Sequence, residues 1–420
     1  MRVIALVAAL VLSTSVCAAL PGVVELRTTP EALTDTRLAQ LLDARVRTAE
    51  VVALGETVHG SSGLLRAQTR LIRYLVEQHG FRLIVWENPA LRSLELAQWV
   101  ASCTQVKSAP PIDVLYMPTP SDLPLFEWIC DFNRANASNP IVFRGLDIWD
   151  RPWEHYSRIR ALGAQVAIDP SLLKRVAWCP DHGATSWPEV STSFLGGHYE
   201  ACRAALAAVL DAARRTAAEK RESDRPAADD AFELALSAST LLGWLGFHFH
   251  SRSDDVLSWN ARDEAQGRNL MLIMEKHDAK RAIVSAHTSH VSHNRSRADW
   301  WGFGDIKSGI HFFEAMTRKT VFNIALTAYE ASGAQGEWSL PTARNSLDKK
   351  LHDAGHVFSF FTSDAAFLSE HPKWWIQNQN YPGPYESGVE LVPRDQFDAF
   401  FFFDRSHLDK ALPARPVWEP

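Results

Sequence analysis

Cysteine, basic charge and long apolar runs are all scarce in this chain, and each scarcity removes a class of protein. Its 420 residues hold 5 cysteines, none in a Cys-x-x-Cys pair, so a cysteine-built zinc or redox site has no scaffold. The 43 Lys and Arg stand against 49 Asp and Glu, for a net charge of -6. Nucleic-acid modules concentrate a basic excess, so no nucleic-acid partner is expected. Beyond the first 20 positions no stretch supplies the roughly 20 consecutive apolar residues that a spanning helix needs. The Gly-x-Ser-x-Gly elbow of serine α/β-hydrolases is missing, as are a phosphate-binding glycine loop and His-Glu-x-x-His. Nothing suggests a nicotinamide or flavin site, so no cofactor is expected.

What is there begins with an N-terminal export signature. Arg2 precedes an uncharged apolar run, Val3 to Leu12, and small residues follow at Ser13, Ser15, Ala18 and Ala19. This pattern predicts a signal peptide over residues 1–19 and a periplasmic or secreted product without membrane attachment after cleavage. The residues before Cys17, Thr14-Ser15-Val16, fit a lipoprotein cleavage box poorly. Four cysteines remain, and in an oxidising compartment an even number favours disulfides. Three pairings are open; sequence neighbours suggest Cys103–Cys130 and Cys179–Cys202, with buried free thiols as the other reading. The 15 Trp and 21 Phe exceed the needs of a core alone, with packing as their main outlet and aromatic pocket walls as the second.

A lead-in helix is expected near Pro30–Arg47. Glu50 to Gly55 is a short β-branched apolar run, hence a buried strand. Leu64, Leu65, Leu71, Ile72, Leu75 and Val76 then recur at helical spacing up to Gly80. Phe81 to Trp86 is a second strand, ending at Glu87. Strand, helix and strand in so few residues form a crossover unit and imply a parallel sheet. Further strands are read at Pro140–Asp147, Arg281–Ala286, Thr320–Thr327 and Phe397–Asp404. Helical insertions are expected at about 90–135, around a Pro-rich break, and at 170–270. Within the second, the charged stretch Glu219–Asp230 reads as an exposed loop. The fold class is therefore α/β: one domain over residues 20–420, with a mostly parallel sheet core and a large inserted helical lobe.

Polar groups follow directly after the predicted strands: Glu56 and His59, Glu87, Asp147, and His287 with His290. Parallel sheets bind ligands at the C-terminal strand ends, so Glu56, His59, Glu87, His287 and His290 converge on one edge. Each motif alone has a structural account, a capped turn or a buried strand-end carboxylate; their convergence is what points to a site. A histidine can take a proton from water while a neighbouring carboxylate fixes its tautomer and stabilises the imidazolium. A second histidine can stabilise the oxygen that turns negative in acyl transfer. The same donors could instead hold Zn, Mn or Fe.

These blocks, in this order, resemble the erythromycin esterase family. Val51 to Glu87 is similar to its opening block of strand, Gly-Glu-x-x-His, helix, Gly-Phe, strand and Glu. Gly145-Leu146-Asp147 resembles its Gly-x-Asp strand end, and Arg262-Asp263 with Asn269 its Arg-Asp-x-x-x-x-x-Asn helix. Ala286-His287-Thr288-Ser289-His290-Val291 resembles its Ala-His-Asn-x-His-Val block, and Phe397 to Asp404 its last strand. The resemblance implies hydrolysis of a small-molecule carboxylic ester or lactone, with His59 as general base, Glu56 orienting it, and Glu87, His287 and His290 completing the catalytic set. Two positions depart from the pattern. Gln68 stands where the family often has arginine, with Arg66 on another helix face, and Thr288 replaces the block's Asn. The expectation is therefore an ester or lactone hydrolase rather than a macrolide esterase. A metal-dependent hydrolase using the same groups, or a catalytically silent periplasmic binding protein, are the alternatives.

Overall fold

The structure, a computed structural model, describes residues 20–103, 109–181, 192–251, 253–298, 300, 304–333, 336–338, 345–377, 388–408 and 412. The expected signal segment, with Cys17, lies outside these residues, as does Trp301. The chain enters through β1 (Val24–Glu25) and α1 (Asp35–Val46). It then alternates β2 (Val51–Glu56), α2 (Ser62–His79) and β3 (Leu83–Pro89). Next come α3 (Ser93–Ala101), α4 (Leu123–Ala135) and β4 (Val142–Asp147). Five helices follow without a strand: α5 (Pro152–Gln165), α6 (Pro170–Asp181), α7 (Thr192–Lys220), α8 (Arg225–His250) and α9 (Asp255–Lys276). The chain returns to the sheet with β5 (Ala282–His287), the single turn α10 (Thr288–Val291), α11 (Gly309–Thr317) and β6 (Val321–Gly333). It ends with β7 (Gly336–Trp338), α12 (Leu347–Asp353), β8 (Phe358–Thr362), β9 (Trp374–Gln377), β10 (Gly388–Leu391) and β11 (Ala399–Ser406).

Nine strands form one sheet in the order β1-β8-β11-β6-β2-β5-β3-β4, with β7 paired to β6. From β11 to β4 every neighbouring pair is parallel; β8, β1 and β7 join antiparallel. The α/β class with a mostly parallel sheet and an inserted helical lobe is thus the architecture. The crossover from β2 to β3 skips one position, and β5 enters the gap 200 residues later in contact. That insertion makes the C-terminal ends of β2, β5, β3 and β4 one continuous edge.

The two faces of the sheet read the pleat directly. Val52, Leu54, Ile84, Phe143 and Ile283 face α1, α2, α3 and α4. Val51, Ala53, Val85, Ala282 and Val284 face α9, α11 and α12. Strands buried on both faces lack polar alternation, which is why they read as apolar runs. The helical lobe has its own core of Leu206, Val209, Leu241, Trp244 and Leu245. Two disulfides staple the insertions: Cys103–Cys130 joins the segment after α3 to α4, and Cys179–Cys202 joins α6 to α7, with Cα–Cα distances of 5.2 and 5.9 Å.

One expectation is corrected. The loop expected over 219–230 shrinks to a turn at 221–224; α7 runs to Lys220 and α8 begins at Arg225. Asp224 caps Ala227 N–H at 3.2 Å, and Pro226 suits the first turn, so the charges decorate helix ends rather than break them.

Candidate functional site

The segment that carries His59 is shaped by two glycines. A Cβ on Gly55 would sit 2.6 Å from Val291 Cγ2 and 3.1 Å from Thr288 Cα. Only glycine lets α10 lie directly on the end of β2 and bring the His287 block against the His59 turn. Gly60 adopts a left-handed φ of 72°, which turns the chain from β2 towards α2. Beyond that turn, Ser61 Oγ lies 2.6 Å from Ser406 Oγ, and Ser62 N–H donates to His407 O at 2.9 Å, tying the motif to the end of β11.

Within this frame His59 Nδ1 shares a 2.8 Å hydrogen bond with Glu56 Oε1. Burial pushes His59 down, but the Glu56 hydrogen bond and the Glu87 charge outweigh it and hold the imidazole above its usual range. Burial likewise raises Glu56, against the pull of His59. The His287 ring centroid is 5.0 Å from that of His59. His287 Nε2 donates to Thr57 O at 3.2 Å, and its Nδ1 receives Ser289 N–H at 3.3 Å and Ser289 Oγ at 2.8 Å. Burial, with the neighbouring His59 charge, drives its basicity well below the usual histidine range, so this ring is neutral.

Behind the histidines lies a buried ion network. Arg262 from α9 donates to Asp147 twice, at 3.0 and 2.7 Å, and to Glu87 Oε1 at 2.7 Å. Its Nη1 is 2.9 Å from His290 Nε2, and His290 Nδ1 is 2.6 Å from Asp263 Oδ1. Trp149 and Trp259 each face the guanidinium at 5.4 Å, shielding it from water. Glu87 Oε2 accepts His287 N–H at 2.7 Å. Burial alone would raise Glu87, but the positive charges of His290, His59 and Arg262 hold it well below the carboxylate range. Helical spacing explains the motif: Arg262, Gln266 and Asn269 lie on one face of α9. Gln266 donates to Asp147 Oδ1 at 3.0 Å and Asn269 to Leu146 O at 2.8 Å.

All five predicted residues, Glu56, His59, Glu87, His287 and His290, therefore meet at one sheet edge, but in two layers. Glu56, His59 and Glu87 line a half-open cleft, together with Leu65, Trp86, Leu115, Tyr116, Met117 and Asp122. His287 and His290 sit behind it. Sequence reading underweighted three groups. Arg262 and Asp147 are visible as motif letters, but their pairing across the helical lobe is not. Asp122 carried no signal at all. Arg66 pairs with Glu31 at 2.7 Å on the surface, and buried Gln68 has no hydrogen-bond partner among the described residues. No group of three or more His, Cys, Asp or Glu among the described residues could hold a metal ion. The guanidinium of Arg262 already fills the point on which Glu87, Asp147 and His290 converge.

The fold is that of an α/β protein whose parallel-sheet edge presents a carboxylate-bound histidine to a cleft. The family profile described as erythromycin esterase matches residues 76–406, and the chain belongs to that family. The matched stretch begins inside α2, so Glu56 and His59 precede it. Three crystal structures share the fold. A Bacillus cereus protein is 19% identical, with 94% of this chain and 97% of that one covered at a TM-score of 0.70. A succinoglycan biosynthesis protein is 18% identical, with 95% and 97% covered and a TM-score of 0.71. A histidine-to-asparagine mutant of the erythromycin esterase EreC, in its open conformation, is 17% identical, with 90% and 96% covered and a TM-score of 0.64. Family membership makes ester hydrolysis the class of activity for this chain.

Proposed function

We propose that the protein hydrolyses a carboxylic ester or lactone of a small molecule, with His59 as the general base for water. Glu56 engages Nδ1, so Nε2 is the nitrogen that takes the proton as water adds to the carbonyl carbon. A positioned base of this kind contributes about 10²–10⁴-fold. Glu56 and the ionised Glu87 stabilise the imidazolium that results. Arg262 keeps Glu87 ionised, and His290 with Asp263 keeps Arg262 in place. His287, neutral and engaged at both nitrogens, holds the Thr57 carbonyl and so the turn that bears His59. In this reading His287 and His290 position the site rather than touch substrate. The apolar wall of Leu65, Trp86, Leu115 and Met117 suits an uncharged substrate.

The observation that carries the proposal is the 2.8 Å Glu56–His59 bond at the wall of a cleft. We further propose export to an oxidising compartment, on the N-terminal pattern and the two disulfides. No helix among the described residues is long and apolar enough to cross a membrane.

The test is a panel of esters, lactones and macrolides, run on the mature protein beside His59→Ala. Turnover that survives the substitution removes His59 from the mechanism. No turnover of any substrate by the unaltered protein favours a binding role. Stoichiometric, tightly held metal in the purified protein overturns the metal-free chemistry.

A further inference from the structure

The cleft has a second wall that the proposed hydrolysis does not yet use. Residues 115–122 fold over the strand ends, and their prolines keep the segment out of a regular helix. Leu115, Tyr116, Met117 and Asp122 all line the cleft opposite Glu56 and Glu87. The Tyr116 ring stands edge-on to His59 at 6.2 Å.

Asp122 closes a short 3-10 turn, Pro120–Asp122, just before α4. Its Oδ2 accepts Thr119 N–H at 2.7 Å and Thr119 Oγ at 3.0 Å. Those two bonds both fall on Oδ2 and hold the carboxyl of a residue that lines the cleft. The Glu56–His59 pair lines the same cleft. The charged group that acts on Asp122 is Glu56, another acid. Burial, opposed by the Thr119 bonds and reinforced by Glu56, pushes its carboxyl up to about 7. The cleft therefore holds a histidine that can accept a proton and, in the same wall set, a carboxyl that keeps its own proton up to neutrality, the two partners that general base and general acid catalysis require.

We infer that Asp122 is the general acid of the proposed hydrolysis, donating its proton to the departing alcohol oxygen. The inference rests on the ester-hydrolase reading above. In the first step water forms a bond to the carbonyl carbon as His59 takes one of its protons, and the carbonyl π pair moves to the carbonyl oxygen. In the second that oxygen's pair re-forms the carbonyl, the carbon–oxygen bond to the alcohol breaks, its electron pair goes to the alcohol oxygen, and Asp122 supplies the proton. The proton held by His59 then returns Asp122 to its acid form by way of water. The sum is ester plus water to acid plus alcohol, with no other reactant.

Leaving-group dependence tests this role. Two esters sharing one acyl group are compared, an alkyl ester that must expel a strongly basic alkoxide and a 4-nitrophenyl ester whose phenolate leaves unaided. Asp122→Asn keeps an acceptor for Thr119 while removing the proton. It is expected to lower kcat/KM for the alkyl ester by about 10²-fold or more and to leave the aryl ester within about 3-fold. The unaltered enzyme gives an independent readout: alkyl-ester turnover declines above neutrality as Asp122 ionises, while aryl-ester turnover does not. Equal losses on both esters, no loss on either, or matching pH profiles in the unaltered enzyme overturn the acid role and leave the hydrolase reading standing. An unaltered enzyme inactive on both esters and on lactones overturns the two together.

Discussion

The two halves of the sheet make a controlled comparison, because β11 runs parallel to β2, β5, β3 and β4 and each strand is largely buried. In one half β2, β5, β3 and β4 end on Glu56, His287, Glu87 and Asp147. In the other, β11 is Phe400-Phe401-Phe402-Phe403, and its rings stack on β8, as Phe361 on Phe400 at 4.9 Å and Phe358 on Phe403 at 4.6 Å. The first half places acids at low dielectric, where an isolated carboxylate is costly. It tolerates them because α9 sends Arg262 to meet them. In the second half the strand-end ion pair, Arg405 with Glu330 at 3.0 Å, stands exposed to solvent rather than buried. Strand ends in this fold are thus a potential site everywhere, and a chemical one only where a helix brings the balancing charge.

The comparison can be broken most sharply with a pair of variants. His59→Ala is expected to cut turnover by about 10²–10⁴-fold with the melting profile unchanged. Phe401→Ala is expected to cost roughly 3–5 kcal/mol in urea unfolding while each folded molecule keeps its activity. If His59→Ala instead unfolds the protein, the chemical half is also a structural one. Arg262→Met should combine the two outcomes. It strands Glu87 and Asp147 without a charge partner, at a cost of about 3–5 kcal/mol, and turnover falls with the displaced His290 and Glu87. Circular dichroism melts beside kcat measurements separate the two effects.

Reduction of the two disulfides is expected to remove roughly 3 kcal/mol each, since they close loops of 27 and 23 residues outside both half-sheets. Denaturant midpoints with and without reductant read this directly. The smallest effect is a shift rather than a loss. The base must be neutral to act, so kcat/KM rises with pH through the His59 value, which lies above the ordinary 6.5. Glu56→Gln removes the hydrogen bond and charge that raise it, so the acid limb moves to lower pH. A limb that stays put or moves up would show that Glu56 does not set the basicity of His59.

The chemical half was the more legible of the two in the sequence. Its strands are apolar runs that stop on a single charged residue, and such an abrupt stop is visible without knowing the neighbours. β8 and β1 were not foreseen, because edge strands pairing antiparallel through a few residues leave little period to read. Cysteine pairing followed from proximity along the chain, since each bridge joins adjacent helical segments. Arg262 was visible as a letter in a motif, yet its role depends on a fold contact with Asp147 across 115 positions. Asp122 was invisible for another reason: its protonation comes from burial beneath a Pro-rich wall, and burial of a loop carboxyl has no local pattern. In the stretch Glu219–Asp230 charge density hides how short the loop is, since Asp224 and Pro226 already mark a helix start.

Arg262 also sets an order of assembly. The strands that carry Glu87 and Asp147 can pair early, but their charges stay unmatched until the five-helix lobe docks and α9 arrives. Such late, long-range closure is slow compared with local helix formation. Activity in a refolding chain should therefore return after most of the secondary structure has, making catalysis a reporter of the final docking event.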